Sequence, residues 1–267
     1  MMKKLVLGLL TASAMLLSAC DKGSESSQSA PAPAPAPAPA KIVIGLDDNF
    51  PPMGFRDDRG ELVGFDIDMA REAAKRMGLQ AEFKPIDWST KEAELAGKRV
   101  DLLWNGMTIT ETRKQVMNFS NPYMENHQII IVKAGSEITD KAGLTGRVVG
   151  VQDGSSAVDA VEADTETADA IGELKKYADN VTALMDLAIG RVDAVVVDEV
   201  VGRYYVAQKP GEYTVLEDNF GTEEYGVGLR KEDTELQAKL QAALDAMKAD
   251  GTSAKIAQQW FGADIVK

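Results

Sequence analysis

Thr108 and Arg113 are the residues of this sequence best suited to hold a small carboxylate. Arginine presents a planar fork of N–H donors that matches a carboxylate at two points, whereas lysine offers a mobile point charge. Both lie in Trp104-Asn105-Gly106-Met107-Thr108-Ile109-Thr110-Glu111-Thr112-Arg113, which runs on to Asn118-Phe119-Ser120-Asn121-Pro122-Tyr123. Thr108 and a backbone N–H near Gly106 or Thr108 would complete the cage. Spacing alone fits equally well a surface arginine on a helix over residues 111–116, capped by Thr110.

A second group of residues could hold the opposite charge. Asp198 ends an apolar strand, where an ionised carboxylate must reach water or find a cation. A ligand ammonium would satisfy it; so would an N-cap role on a helix over residues 199–207. Asp47, Phe50 and Phe55 leave the first strand on a loop, where aromatic faces can flank a side chain while Asp47 takes its charge. Trp88 is a further candidate wall, although aromatic residues more often fill a core. Gly150-Val151-Gln152-Asp153-Gly154-Ser155-Ser156-Ala157 reads as strand, glycine turn and helix start, whose free N–H groups suit an anion. It lacks both the Gly-Lys-Ser/Thr ending and the Gly-x-Gly-x-x-Gly spacing of nucleotide sites.

Catalytic chemistry finds little footing. His127 is the single histidine and Cys20 the single cysteine, so no Cys/His zinc cluster can form. No Gly-x-Ser-x-Gly elbow is present. The adjacent carboxylates Asp47-Asp48 and Glu223-Glu224 read as solvated acids. A formal net charge of −13 disfavours nucleic acid, whose phosphates need clustered Lys and Arg. That field suits a cationic or zwitterionic ligand better.

Two segments precede the folded part. Met1-Met2-Lys3-Lys4, an apolar stretch over residues 5–17 and the small residues before Cys20 read as an export signal over 1–19. Cys20 sits where a bacterial lipoprotein is acylated. Residues 20–40, ending in Ala-Pro repeats, lack the apolar content for a core and read as an extended spacer.

From Lys41 onward, apolar periodicity predicts alternating strands and helices. Strands are expected over 41–46, 80–85 and 100–104, and helices over 66–77 and 92–96. The wording Leu95-Ala96-Gly97-Lys98-Arg99-Val100-Asp101 is echoed by Leu187-Ala188-Ile189-Gly190-Arg191-Val192-Asp193. Each reads as a helix stopped by a left-handed glycine and followed by a buried strand. Two similar α/β lobes follow, or else a junction common to any αβ chain. Ligands in open α/β sheets sit beyond the carboxyl ends of parallel strands, which is where Asn105 to Thr108 and Asp198 fall. Residues 128–133 and 225–229 are candidates for strands crossing between lobes.

Gly64-Phe65-Asp66-Ile67-Asp68, the Asn105-to-Arg113 run, Phe119-Ser120 with Pro122-Tyr123, Gly190-Arg191-Val192-Asp193 with Asp198, Gly226-Val227-Gly228-Leu229-Arg230-Lys231 and Trp260-Phe261-Gly262 occur in this order. On these motifs residues 41–265 resemble the polar-amino-acid solute-binding proteins of ABC importers, the extracellular solute-binding family 3. The resemblance implies an α/β fold of the two-lobe periplasmic-binding-protein type II, divided as 41–132 and 225–267 in lobe 1 and 133–224 in lobe 2. It implies that Arg113, Thr108 and Ser156 hold an α-carboxylate and Asp198 the α-ammonium. Asp47, Phe50, Trp88 and Asn105 would face the side chain, with Gly106 giving a backbone contact.

Histidine- and lysine-type members carry two serines where this chain has Asn105 and Gly106. The wording around Trp104 and Trp88 is closer to arginine-binding members. The resemblance therefore implies arginine or another basic amino acid, with glutamine, cystine or another polar amino acid as competitors. An exported lyase or dehydratase on the same fold would need Glu94, Glu199 or His127 as acid or base. Expected partners are a membrane permease and a lipid anchor for a monomeric receptor, with no cofactor, no metal and no nucleic acid.

Overall fold

The computed structural model describes residues 39–267; the signal segment, Cys20 and most of the Ala-Pro spacer lie outside the described residues. Two five-stranded sheets organise the chain into the two-lobe α/β fold. In the first sheet Lys41–Leu46 pairs in parallel with Gln80–Pro85 and Leu102–Leu103, and Gly228–Leu229 runs antiparallel between Leu102–Leu103 and Asn118–Phe119. In the second, Val148–Gln152 pairs in parallel with Glu173–Tyr177 and Ala194–Asp198. Met124–Lys133 then runs antiparallel between Ala194–Asp198 and Tyr213–Tyr225.

Local chemistry explains the elements that carry the site. Ala194 to Val197 are completely buried, the unbroken apolar run of a strand covered on both faces. Each such valine stabilises the lobe by about 1.5–3 kcal/mol through burial. The helix Phe65–Arg76 has Asp66 and Asp68 in its first turn and Lys75 and Arg76 in its last, which complements its dipole. Its buried Met69, Ala70, Ala73 and Ala74 recur at helical spacing and join the core cluster that holds Ile42, Ile44 and Leu102 of the first sheet.

Only the chain between Phe119 and Met124 and that between Tyr225 and Gly228 link the two sheets among the described residues. The crossing strands are Met124–Lys133 and Tyr213–Tyr225, longer and earlier than residues 128–133 and 225–229. Tyr225 closes the second of these strands, and Gly228–Leu229 already belongs to the first sheet. The echoed junctions also differ in detail. Gly190 takes the left-handed conformation, at φ 77°, but in the first lobe Lys98 does so, at φ 56°, while Gly97 stays at −74°.

Candidate functional site

Three neighbouring strands build an acidic, amide-lined face in the second lobe. Gln128 lies opposite Asp198 in one strand pair and Asn126 opposite Glu223 in the other. Residues two apart in a strand share a face, so Asn126 with Gln128, and Glu223 with Tyr225, point the same way. Asn126 Nδ2 donates to Asp198 Oδ1 at 2.7 Å and to Glu223 Oε1 at 2.8 Å. Gln128 Nε2 reaches the same two oxygens at 3.1 and 2.8 Å, and Tyr225 donates its hydroxyl to Asp198 Oδ1 at 2.7 Å.

Asp198 is only 4% exposed. Burial holds its carboxyl well above the ordinary carboxylate range, and the negative charge of Glu223 beside it pushes in the same direction. It precedes the helix Glu199–Gln208 but makes no capping hydrogen bond to it. Asn126 takes that role, its Oδ1 accepting from Glu199 N at 3.1 Å. The Asp198 side chain is thereby directed at the cleft rather than at the helix.

The facing lobe supplies the cation. Arg113, 6% exposed, lies on the short helix Glu111–Val116, where Thr110 Oγ1 accepts from its backbone N–H at 3.1 Å. Capping and burial therefore coexist, and Arg113 is no surface residue. Its guanidinium donates to Thr108 O at 2.9 Å and to Gly154 O of the second lobe at 3.0 Å. Burial lowers its pKa, and Glu92, Asp159, Glu223 and Asp198 pull it back up. Thr108 Oγ1 and Ser156 Oγ meet at 3.0 Å across the cleft. Buried Lys91 donates to the same Gly154 carbonyl at 2.7 Å.

A separate polar group lies at the end of the first strand. Asp47 Oδ2 accepts from Gln152 Nε2 at 2.7 Å, and Gln152 Oε1 accepts from Asn180 Nδ2 at 3.0 Å. Burial pushes the Asp47 carboxyl up to about 6, against the hydrogen bonds from Asn49 N and Gln152. Asn105 Oδ1 accepts from Asp47 N at 3.2 Å, and its buried Nδ2 has no partner. Phe50 closes over Gly106, since a Cβ there would meet Phe50 Cε1 at 2.8 Å.

Most candidates thus meet at the interface of the lobes, but their roles divide. Gly106 N is committed to buried Asp66 at 2.7 Å, so its N–H is not free for a ligand. Trp88 packs with Leu95, Val100, Leu103, Met107 and Met117 in a core cluster, with Lys91 Nζ 5.3 Å from its ring. Glu223 is no solvated acid, whereas Glu224 pairs with Lys267 on the surface at 2.7 Å. Glu94 is held by Lys84 and Arg99, and Glu199 by His127 and Arg203. Asn126, Gln128, Glu223 and Tyr225 were not legible as site residues; only their alternation along two long polar strands pointed to them.

Comparison with known proteins decides the family. Residues 42–263 match the bacterial extracellular solute-binding proteins, family 3. The chain belongs to this family. It is 34% identical over 228 residues to the L-cystine-binding protein TcyJ of Escherichia coli (strain K12), covering 85% of this chain and 84% of that one. A substrate-binding protein of an ABC uptake transporter from Streptococcus pneumoniae, solved with bound histidine, is 38% identical with a TM-score of 0.82, covering 85% of this chain and 94% of that one. An ancestral arginine-binding protein bound to arginine is 41% identical with a TM-score of 0.80, covering 84% of this chain and 100% of that one. Family membership assigns the solute-binding protein an extracellular place and a binding rather than a catalytic task.

Proposed function

We propose that this member of the family captures a free amino acid between its lobes and delivers it to an ABC permease. One observation carries the reading: a buried carboxylate that forms no ion pair among the described residues, Asp198, shares one cleft with a buried arginine on the opposite lobe, Arg113. Those are the two ends of a zwitterion. Arg113 grips the α-carboxylate with Thr108 and Ser156, and Asp198 takes the α-ammonium. Asp47, Phe50 and Asn105 meet the side chain, with Trp88 stiffening the wall behind them.

The favoured ligand is arginine or another basic amino acid. Asp47 offers a carboxylate counter-charge, and the chain resembles an ancestral protein solved with arginine. Cystine and glutamine form the second reading, supported by the likeness to the cystine-binding relative and by the amides of Asn105 and Gln152 beside Asp47. Outside the described residues, Cys20 would carry lipid and residues 20–40 would lift a monomeric receptor from the membrane. A thermal-shift screen over the amino acids and cystine tests the function, since a ligand that binds only the folded form raises Tm by mass action. A shift with one or two compounds supports the reading, and no shift with any of them overturns it. Labelling with radioactive palmitate, with Cys20→Ser as control, tests the anchor.

A further inference from the structure

Glu223 sits within the proposed amino-acid site but has no part in the zwitterion scheme. Its Oε1 accepts from Thr108 Oγ1 at 2.8 Å in the first lobe and from Ser156 Oγ at 3.1 Å in the second. Asn126 and Gln128 bind the same oxygen, each at 2.8 Å. Asp198 is fixed in the same way, through Oδ1 alone, by Asn126, Gln128 and Tyr225. Among the described residues no side chain donates to Glu223 Oε2 or Asp198 Oδ2. Two carboxylates are thus each anchored by one oxygen, with the second oxygen left for another donor.

No cationic side chain forms an ion pair with either carboxylate among the described residues. Arg113, whose charge Glu223 and Asp198 favour, spends its guanidinium on the Thr108 and Gly154 carbonyls, and Tyr225 faces Asp198 as a neutral hydroxyl. Gln128, 1% exposed, keeps Oε1 without a donor beside them. Adjacent carboxylates, one buried and one half-buried, cannot both stay ionised at no cost until a cation arrives. Burial and Glu223 both push Asp198 toward its neutral form.

We propose that Glu223 is a specificity-determining residue, a second carboxylate partner that binds the ligand's ammonium jointly with Asp198. The inference rests on the zwitterion reading of the cleft. An ammonium bridging the two free oxygens replaces the proton that burial and Glu223 favour on Asp198, so the site demands a charged amine and releases a proton as it fills. Thr108 and Ser156 hold the Glu223 carboxylate from opposite lobes before the ligand arrives; the ligand's α-carboxylate then takes over their hydroxyls, and Asn126 and Gln128 keep Glu223 in place.

Isothermal titration of the protein with L-arginine, and with L-cystine where arginine gives no heat, tests this at pH 7 in two buffers of different ionisation enthalpy. The wild type should release a fraction of a proton on binding. Glu223→Gln preserves shape and the accepting Oε1, and should weaken binding about tenfold or more while reducing the released proton. Glu223→Asp, which keeps the charge, should recover part of the affinity. Unchanged affinity in Glu223→Gln overturns the proposal, as does tighter binding, which would make Glu223 a competitor for the ligand's place. Absence of proton release by the wild type overturns it without any variant. Failure of the wild type to bind these or any other free amino acid strikes the zwitterion reading instead.

Discussion

Asn126 donates to Asp198 Oδ1 at 2.7 Å with one end of its amide and accepts from Glu199 N at 3.1 Å with the other. An aspartate immediately before a helix ordinarily caps it. Here the neighbouring strand supplies the cap, which leaves the Asp198 carboxylate in the cleft opposite Arg113. A single amide thus frees Asp198 from the capping role and leaves its carboxylate available to a ligand.

Arg113→Lys should keep the fold and weaken amino-acid binding about tenfold or more, roughly 1.4 kcal/mol. Lysine cannot bridge Thr108 O and Gly154 O while also meeting a carboxylate with a planar fork. Titration calorimetry reads the affinity and far-ultraviolet circular dichroism the fold. Equal affinity would show that the guanidinium serves closure alone.

Much of the first lobe was legible because its signals are local. The strands Lys41–Leu46 and Gln80–Pro85 and the helix Glu111–Val116 have the bounds that apolar spacing predicts. The crossing strands were not, because Met124-Glu125-Asn126-His127 and Glu217-Asp218-Asn219 carry polar residues where a strand normally shows alternating apolar ones. Tyr213–Tyr225 also shifts register twice, which breaks the period further. Of those polar residues Asn126 faces the site, whereas Glu125 pairs with Lys267, His127 with Glu199, and Glu217 and Asp218 lie exposed, so the feature that hid the strands only in part makes the site. Arg113 and Asp198 were visible as charged residues at strand and helix ends. Arg113 meets the other lobe at Gly154, and Asp198 is covered by strands of its own sheet that are distant in sequence, which no local pattern contains.

Ligand-free protein should lose thermal stability as pH rises from about 4 toward and beyond 7. A carboxyl whose folded pKa is raised binds more protons folded than unfolded, so its contribution is complete below the unfolded value and fades as pH passes the folded one. Asp47 rises to about 6, Asp66 to about 7, and Asp198 lies well above the ordinary range, all chiefly through burial. Scanning calorimetry against pH should show a shallower slope in Asp198→Asn than in the wild type. The same variant should bind amino acids at least about tenfold more weakly, having lost its charge for the ammonium. Identical slopes would mean that Asp198 is charged in the free protein.

Asp47→Asn should alter ligand preference more than overall affinity. The side chain stays within reach of Gln152 but loses the charge that a basic ligand would use. Arginine affinity should fall about twofold to thirtyfold while glutamine affinity changes little, because a charge-assisted hydrogen bond contributes about 1.5–3 kcal/mol and a neutral one about 1. Competition titrations of the two ligands give the ratio. An equal loss for both would place Asp47 in lobe closure rather than in side-chain recognition.

Asn126→Ala separates the architecture of the site from its charges. The substitution leaves Glu199 N without an acceptor and removes the amide that joins Asp198 to Glu223. Loss of a cap and of hydrogen bonds to charged groups should lower the unfolding free energy of the ligand-free protein by about 1–3 kcal/mol, read from urea denaturation. Asn126→Asp should behave differently, because a carboxylate caps a helix well but brings a third negative charge beside two others. Its stability should approach that of the wild type at acidic pH and fall below it near neutrality. If both variants lost the same stability at every pH, Asn126 would be a packing residue and the cleft carboxylates would be held by Gln128 and Tyr225 alone.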